Sequence, residues 1–231
     1  QKNISEMKTD FTNNMTHEFK TPIATIDLAL NAIKNDKIKI NEKLKLKYLN
    51  IINEENKRMN KQVENVLKIS QLEKDKITLK KNDYDLHDVL KEAVSRISLL
   101  LETRKGLINL KFKAKKSNLN LSFEDLTNVF VNIFENSIKY STDSPKIEVI
   151  TNNNNGQIII DIRDNGIGMS SNVRSKIFDK FYRVSQGNIH NVKGHGLGLS
   201  FVKKIVDLQS GTISVNSEIG KGSEFKIIFN N

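Results

Sequence analysis

The sequence has no cysteine and no tryptophan, only two prolines in 231 residues, and few aromatics, at 6%. Without cysteine there is no disulfide, no thiolate metal site and no thiol nucleophile, a composition that fits a reducing compartment. No apolar run approaches the length needed to cross a bilayer, and no signal-peptide pattern stands at the start. Gln1 is not an initiator methionine and already falls within a helical pattern. The chain therefore reads as a piece of a longer one, with any membrane segment lying upstream. Its length suits one large domain or two small ones. Charge is abundant and unequal: 37 Lys and Arg against 27 Asp and Glu, a net +10. The lysines are dispersed, at 37, 39, 43, 45 and 47 for instance, and are not interleaved with aromatics. This reads as a solvated surface rather than a nucleic-acid face, so no nucleic-acid partner is expected.

Residues 1–75 carry two helical stripes. Ile4, Met7 and Phe11 begin the first, and Ile23, Ile26, Leu30 and Ile33 continue it past Pro22. A polar stretch from Asn35 to Asn41 breaks the pattern. Leu44, Tyr48, Ile51, Glu55, Met59, Val63, Val66, Ile69 and Leu72 form the second stripe. Two helices cannot bury such stripes alone. An antiparallel hairpin that dimerises into a four-helix bundle would bury them, and a coiled-coil spacer without chemistry is the plainer alternative.

The charged segment from Leu72 to Tyr84 reads as a linker. Beyond it helices and strands mix. Leu86 to Leu101 is a helix with Asp85 as its N-cap, and Phe123 to Tyr140 is another. Leu107 to Phe112 and Leu119 to Leu121 are short strands. Lys146 to Thr151 and Gln157 to Arg163 flank the hairpin dipeptide Asn155-Gly156, with Asn152 to Asn155 as a polar turn. A helix from Leu197 to Leu208 precedes strands at Thr212 to Asn216 and Glu224 to Phe229. The expected class is α+β: a helical hairpin, then an α/β sandwich with helices on one face of a mixed sheet.

Two glycine-rich segments, Asp164-Asn165-Gly166-Ile167-Gly168 and Gly194-His195-Gly196-Leu197-Gly198-Leu199, flank an aromatic segment, Ile177 to Tyr182, read as a helix. Glycine admits phosphate oxygens close to backbone amides, and Gly196 and Gly198 open a helix, whose N-terminus favours negative charge. Asp164 ends a strand; its carboxylate either accepts from an exocyclic amine such as that of adenine or forms an ordinary turn. Asn132 and Asn136 stand four apart on one helix face. An amide oxygen is a neutral hard ligand suited to Mg2+, and surface asparagines are the plain alternative. Lys139 stands within reach of phosphates, and Tyr140 either stacks on a base or packs.

The order of these motifs, together with Met15-Thr16-His17-Glu18-Phe19-Lys20-Thr21-Pro22 near the start, resembles the catalytic half of a two-component sensor histidine kinase. The resemblance covers nearly the whole chain. It implies a dimerisation and phosphotransfer domain over 1–75 and a catalytic ATP-binding domain over 80–231, of the fold shared with gyrase, heat-shock-protein-90 chaperones and MutL. It implies ATP with Mg2+, Asn136 as metal ligand and Asp164 as adenine reader. It implies Asn132, Lys139, Tyr140, Gly166, Gly168, Arg183, Gly194, His195, Gly196, Leu197 and Gly198 around the nucleotide, with Met169 to Lys193 as a lid. His195 departs from the Thr or Ser that the family often carries. The partners implied are a second copy of the chain and a response-regulator receiver domain. The place implied is the cytoplasmic side of an inner-membrane-anchored protein, whose sensor segment lies outside this sequence.

His17 fits this as nucleophile, because a neutral imidazole with a pKa near about 6.5 attacks well at neutral pH. Glu18 is the expected base and Thr21 the expected orienter of water in a reverse phosphatase reaction. Pro22 has no N–H for the Glu18 carbonyl, so a bend is expected after His17. A gyrase- or chaperone-type ATPase is the competing enzyme reading, but Asn132 offers no catalytic acid. A non-catalytic dimeric scaffold is a further reading, and the intact Asn136, Asp164 and glycines argue against it. His87 and His190 have no such company and read as structural or surface residues.

Overall fold

The computed structural model describes residues 2–34, 41–73, 79–180, 182 and 198–230. These fall into two compact units, Gln1–Ile77 and Thr78–Asn231.

The first unit is a pair of packed helices, α1 (Lys2–Lys34) and α2 (Glu42–Glu73). Pro22 lies inside α1, which runs on to Lys34. Met15, Pro22 and Ala29, each seven residues from the next, are the buried positions among the described side chains of α1. That spacing returns a residue to the same helix face every two turns. The apolar stripe read from the sequence is wider than this seam. Ile23, Leu28 and Leu30 on α1 and Leu46, Leu49 and Val63 on α2 stay exposed in the single chain.

The second unit opens with β1 (Asn82–Asp85), α3 (Leu86–Thr103), β2 (Leu107–Phe112) and β3 (Asn118–Leu121). α4 (Phe123–Lys139), β4 (Lys146–Asn154), β5 (Gln157–Asp164) and the short α5 (Ser171–Arg174) follow. It closes with α6 (Gly198–Leu208), β6 (Gly211–Glu218) and β7 (Gly222–Asn230). Five strands form one sheet in the order β2-β4-β5-β7-β6; β2 and β4 are parallel and the other pairs antiparallel. β1 and β3 form a separate two-stranded antiparallel ribbon. The expected α+β class with a mixed sheet is what the chain adopts.

Period-two alternation gives the sheet two faces. Ile147 and Val149 of β4, Ile158, Ile160 and Ile162 of β5, and Phe225, Ile227 and Phe229 of β7 are buried. They share a core with Leu90 and Ile97 of α3, Phe130, Ile133 and Phe134 of α4, and Val202 and Ile205 of α6. Each such side chain contributes about 1.5–3 kcal/mol by leaving water. The opposite face carries ion pairs, Lys111 with Glu148 and Arg163 with Glu224, which marks it as solvated.

The chain ends and turns follow local chemistry. Asp85 caps α3 by accepting from the His87 amide at 2.8 Å. At the β4–β5 turn Asn155 and Gly156 both have positive φ, 46° and 75°, which a two-residue hairpin loop of this kind requires. The polar turn is narrower than the sequence suggested: Asn152 to Asn154 pair with Ile159 to Gln157 as strand residues. The aromatic segment is also corrected. Residues 175–178 form turns, and the described bonds are three-residue ones, Asp179 N to Lys176 O and Tyr182 N to Asp179 O. Such closures make successive turns rather than an α-helix.

Candidate functional site

β5 ends at Asp164, whose carboxylate is tied down from three directions. Oδ1 accepts from the Gly166 amide at 2.8 Å and the Ser223 amide at 3.1 Å. Oδ2 accepts from the Ser137 hydroxyl at 3.2 Å. Burial holds the carboxyl above its ordinary value, and these three hydrogen bonds oppose that shift only in part. A carboxylate that keeps acceptor capacity in a half-buried setting is suited to a ligand's N–H donor.

The loop after Asp164 is seated on the β6–β7 turn. Ile167 N donates to Tyr140 O at 3.0 Å, and Gly220 N donates to Ile167 O at 2.8 Å. Met169 N donates to Ser217 Oγ at 2.9 Å. Two glycines make this seat possible. Gly168 has φ 67°, and a Cβ there would fall 1.9 Å from the Glu218 carbonyl oxygen. Gly222 has φ 88°, and its Cβ would fall 2.0 Å from the Asp164 carbonyl oxygen. Asn165 faces elsewhere: its side chain takes the Lys146 amide at 2.8 Å and donates to Ser144 O at 3.2 Å, fixing the α4–β4 connection.

α4 supplies the other wall. It starts at Ser122, whose hydroxyl donates to Asp125 at 2.6 Å, with Glu124 and Asp125 in the first turn. Asn132 donates from Nδ2 to the Asn128 carbonyl at 2.7 Å. Its Oδ1 lies 2.9 Å from where a Cβ on Gly198 would stand, so α6 begins against Asn132. Asn136 is half-buried one turn further on, and its carbonyl accepts from the Tyr140 amide at 3.0 Å. Lys139 Nζ lies over the Tyr140 ring, 5.1 Å from its centroid, and Tyr140 is 38% exposed.

The structure thus brings together Asn132 and Gly198, and Asp164, Gly166, Gly168 and the Tyr140 backbone. Arg183, Gly194, His195, Gly196 and Leu197 lie outside the described residues, as does the later part of the expected lid, residues 183–193. His17 and Glu18 stand on α1 by their backbone, and their side chains lie outside the described set. Thr21 is exposed on α1, and its carbonyl accepts from the Thr25 hydroxyl at 3.0 Å. Three contributors escaped the sequence reading: Ser137, Gly222 and Ser223. Ser137 had a signal, a lone hydroxyl among the apolar positions Phe130, Ile133, Phe134 and Ile138. Gly222 and Ser223 had none, because only the β5–β7 register brings them to Asp164.

Two family models match the chain. The His Kinase A (phospho-acceptor) domain matches residues 7–75, and the Histidine kinase-, DNA gyrase B-, and HSP90-like ATPase matches residues 122–231. The chain belongs to the sensor histidine kinases. Among its relatives is sensor protein RprX of Bacteroides fragilis, 40% identical over 98% of this chain and 44% of the relative. Another is signal transduction histidine-protein kinase ArlS of Staphylococcus aureus, 35% identical over 95% of this chain and 48% of the relative. The chain spans less than half the length of these curated kinases. Two solved histidine kinases share the fold. ShkA, determined with AMPPNP, has a TM-score of 0.68 at 19% identity, over 95% of this chain and 45% of that one. ThkA, determined with the response regulator TrrA, has a TM-score of 0.67 at 18% identity, over 99% of this chain and 63% of that one.

Proposed function

We propose that this chain is the cytoplasmic catalytic portion of a protein-histidine kinase. It transfers the γ-phosphoryl group of ATP to His17 and then to an aspartate on a response-regulator receiver domain. The observation that carries the reading is the pinned Asp164 carboxylate beside α4, in a segment matched by the ATPase family model. An acceptor fixed in this way selects a nucleobase that presents an amine.

Residues 1–75 act as the dimerisation and phosphotransfer domain and residues 80–231 as the ATP-binding domain. The apolar side chains left exposed on α1 and α2 support a homodimer in which four helices complete the bundle. Asp164 reads the base, with Gly166, Gly168 and Tyr140 around it. Asn132, Lys139, Arg183, Gly194, His195, Gly196, Leu197 and Gly198 surround the phosphates, where the N-terminal end of a helix favours negative charge. Among the described residues no group of three or more His, Cys, Asp or Glu gathers. One neutral amide beside a phosphate ligand is a donor set that suits Mg2+ arriving with its nucleotide, so Asn136 would hold the ion. When bound, it supplies neutralisation of phosphate charge.

The His17 ring nitrogen attacks the γ-phosphorus, the bond to the bridging oxygen breaks, and ADP leaves. Glu18 takes the proton from the other ring nitrogen. In the second transfer the P–N bond breaks as the receiver carboxylate oxygen bonds to phosphorus. Thr21 holds water for the reverse, phosphatase reaction. Anchoring to the inner membrane falls to a segment outside this sequence; among the described residues no helix is long and apolar enough to cross a membrane.

The test is to incubate the chain with ATP and Mg2+ and to look for an acid-labile, alkali-stable phosphate. His17→Gln abolishes the label and leaves ATP affinity nearly unchanged. Label retained on His17→Gln overturns the assignment.

A further inference from the structure

Asp164 alone does not fix the orientation of its carboxylate. Its Oδ1 is the pivot, held by two main-chain amides, Gly166 N at 2.8 Å and Ser223 N at 3.1 Å. Among the described residues only the Ser137 hydroxyl, at 3.2 Å, holds Oδ2. Ser137 is itself immobilised. It is 3% exposed, it sits mid-helix in α4, and its Oγ also lies 3.1 Å from the Ile133 carbonyl. A hydroxyl has a single proton, so Ser137 shares it between a helix carbonyl and a carboxylate oxygen. The charged acceptor makes the stronger bond. Charged groups also stand on the elements around Asp164: Glu135 and Lys139 on α4, Lys146 and Glu148 on β4, Glu224 and Lys226 on β7. The ionisation of Asp164 itself is raised by burial and lowered by the three donors.

We propose that Ser137 is a positioning residue for nucleobase specificity, locking the Asp164 carboxylate plane so that its free acceptor site meets a ligand amine and rejects a ligand keto oxygen. The proposal rests on the reading of Asp164 as the base-binding residue. The physical reason is an asymmetry of hydrogen bonding. A carboxylate has about four acceptor positions, and three donors leave one for ligand. With both oxygens fixed, that position has one direction. An adenine amine donates into it, whereas the keto oxygen of hypoxanthine is an acceptor facing an acceptor. Sites built around a fixed polar partner discriminate strongly because the wrong ligand leaves that partner unpaired. Removing the Ser137 hydroxyl frees Oδ2 to swing about Oδ1. The amine loses its aligned acceptor, and the keto ligand, which had nothing to lose, is less affected.

The experiment measures affinities of the full chain for ATP and for inosine triphosphate in Mg2+ by calorimetry, for the unaltered chain, Ser137→Ala, Ser137→Thr and Asp164→Asn. Ser137→Ala is expected to weaken ATP about three- to tenfold, the net effect of one ordinary hydrogen bond, with little change for inosine triphosphate. The ATP preference therefore falls by the same factor. Ser137→Thr, which keeps the hydroxyl, retains the preference. An unchanged preference in Ser137→Ala overturns the proposal, including when both nucleotides weaken equally, because equal loss marks a merely structural role. Asp164→Asn separates the two levels. Normal ATP affinity in Asp164→Asn removes the base-reading role itself. Lost ATP affinity there, with an unchanged preference in Ser137→Ala, removes only Ser137.

Discussion

The His87 ring lies flat on the Phe112 ring, with centroids 4.1 Å apart and 12° between their planes. The stack joins the first turn of α3 to β2, and His87 Nε2 lies 3.0 Å from Thr151 Oγ on β4. Burial holds His87 below its ordinary 6.5, partly opposed by Asp85 and Asp88, while Lys91 acts in the same direction as burial. The folded state therefore prefers the neutral ring. Its contribution to stability is complete above 6.5 and is lost as pH falls through the lower folded value. Melting temperature is expected to decline between about pH 7 and 5, and His87→Phe, which keeps the stack without the titration, is expected to flatten that decline. An equal slope in His87→Phe would assign the pH dependence to other groups.

Asp164→Asn separates folding from binding. A carboxyl raised on folding favours the folded state below its ordinary 3.8, and this contribution is lost as pH rises through the folded value. At neutral pH the buried charge is thus a cost that an amide relieves. The amide oxygen still accepts from Gly166 and Ser223, and its NH2 meets a Ser137 oxygen able to accept. Stability at neutral pH is expected to stay within about 1 kcal/mol of the unaltered chain. ATP affinity is expected to fall by at least about tenfold, because an amide stands where an acceptor-only group is needed. Calorimetry and thermal melting on one preparation check both halves.

Gly168→Ala tests the seat of the loop. The new Cβ would lie 1.9 Å from the Glu218 carbonyl oxygen at a φ of 67°, so the loop must leave the β6–β7 turn. Backbone strain of this kind costs about 1–3 kcal/mol. The expected result is a lower melting temperature with weakened ATP binding. Gly156→Ala is the matched control: its φ is also positive, at 75°, but its Cβ would meet open space at the end of β5 opposite Asp164. It should lower stability without touching the nucleotide.

What was legible in the sequence was what local chemistry determines. Asp85 before an apolar helix acts through its side chain on the amide two residues on, and Asn155-Gly156 between alternating strands acts through its own backbone. The ends of α4 and the strand leading to Asp164 follow from apolar periodicity. The β1–β3 ribbon was only half visible, because Asn82 to Asp85 is polar and exposed and owes its strand form to a distant partner, Asn118 to Leu121. The exposed Ile23 and Leu30 show the converse: periodicity marked them as apolar-face residues, but a single hairpin has nothing to cover them with. Within the site, Asp164 was visible because a carboxylate in a glycine-rich loop is conspicuous. Ser137 and Ser223 were not, because their role is set by the packing of α4 and β7 on the end of β5.

Thr21→Ala distinguishes the two directions of phosphoryl flow. Thr21 stands four residues after His17 on α1, so the two positions share a helix face. The Thr21 side chain is exposed, where a receiver domain docked on that face could reach it. Its hydroxyl would hold a water in line with an aspartyl phosphate. The proposed autophosphorylation needs no such water, because in it His17 would itself be the attacking group. Thr21→Ala is therefore expected to slow regulator dephosphorylation about tenfold or more while kinase activity changes little. Glu18→Ala is expected to do the reverse, slowing autophosphorylation first, since the imidazole then loses its proton acceptor. A structural role for Thr21 near Pro22 predicts something else. Loss of a local side-chain bond of that kind lowers stability by about 1 kcal/mol and slows both reactions together. Rates of both reactions, measured beside the melting temperature of Thr21→Ala, decide between them: equal losses with a lower melting point assign Thr21 to the helix, and a selective loss of phosphatase activity assigns it to the water.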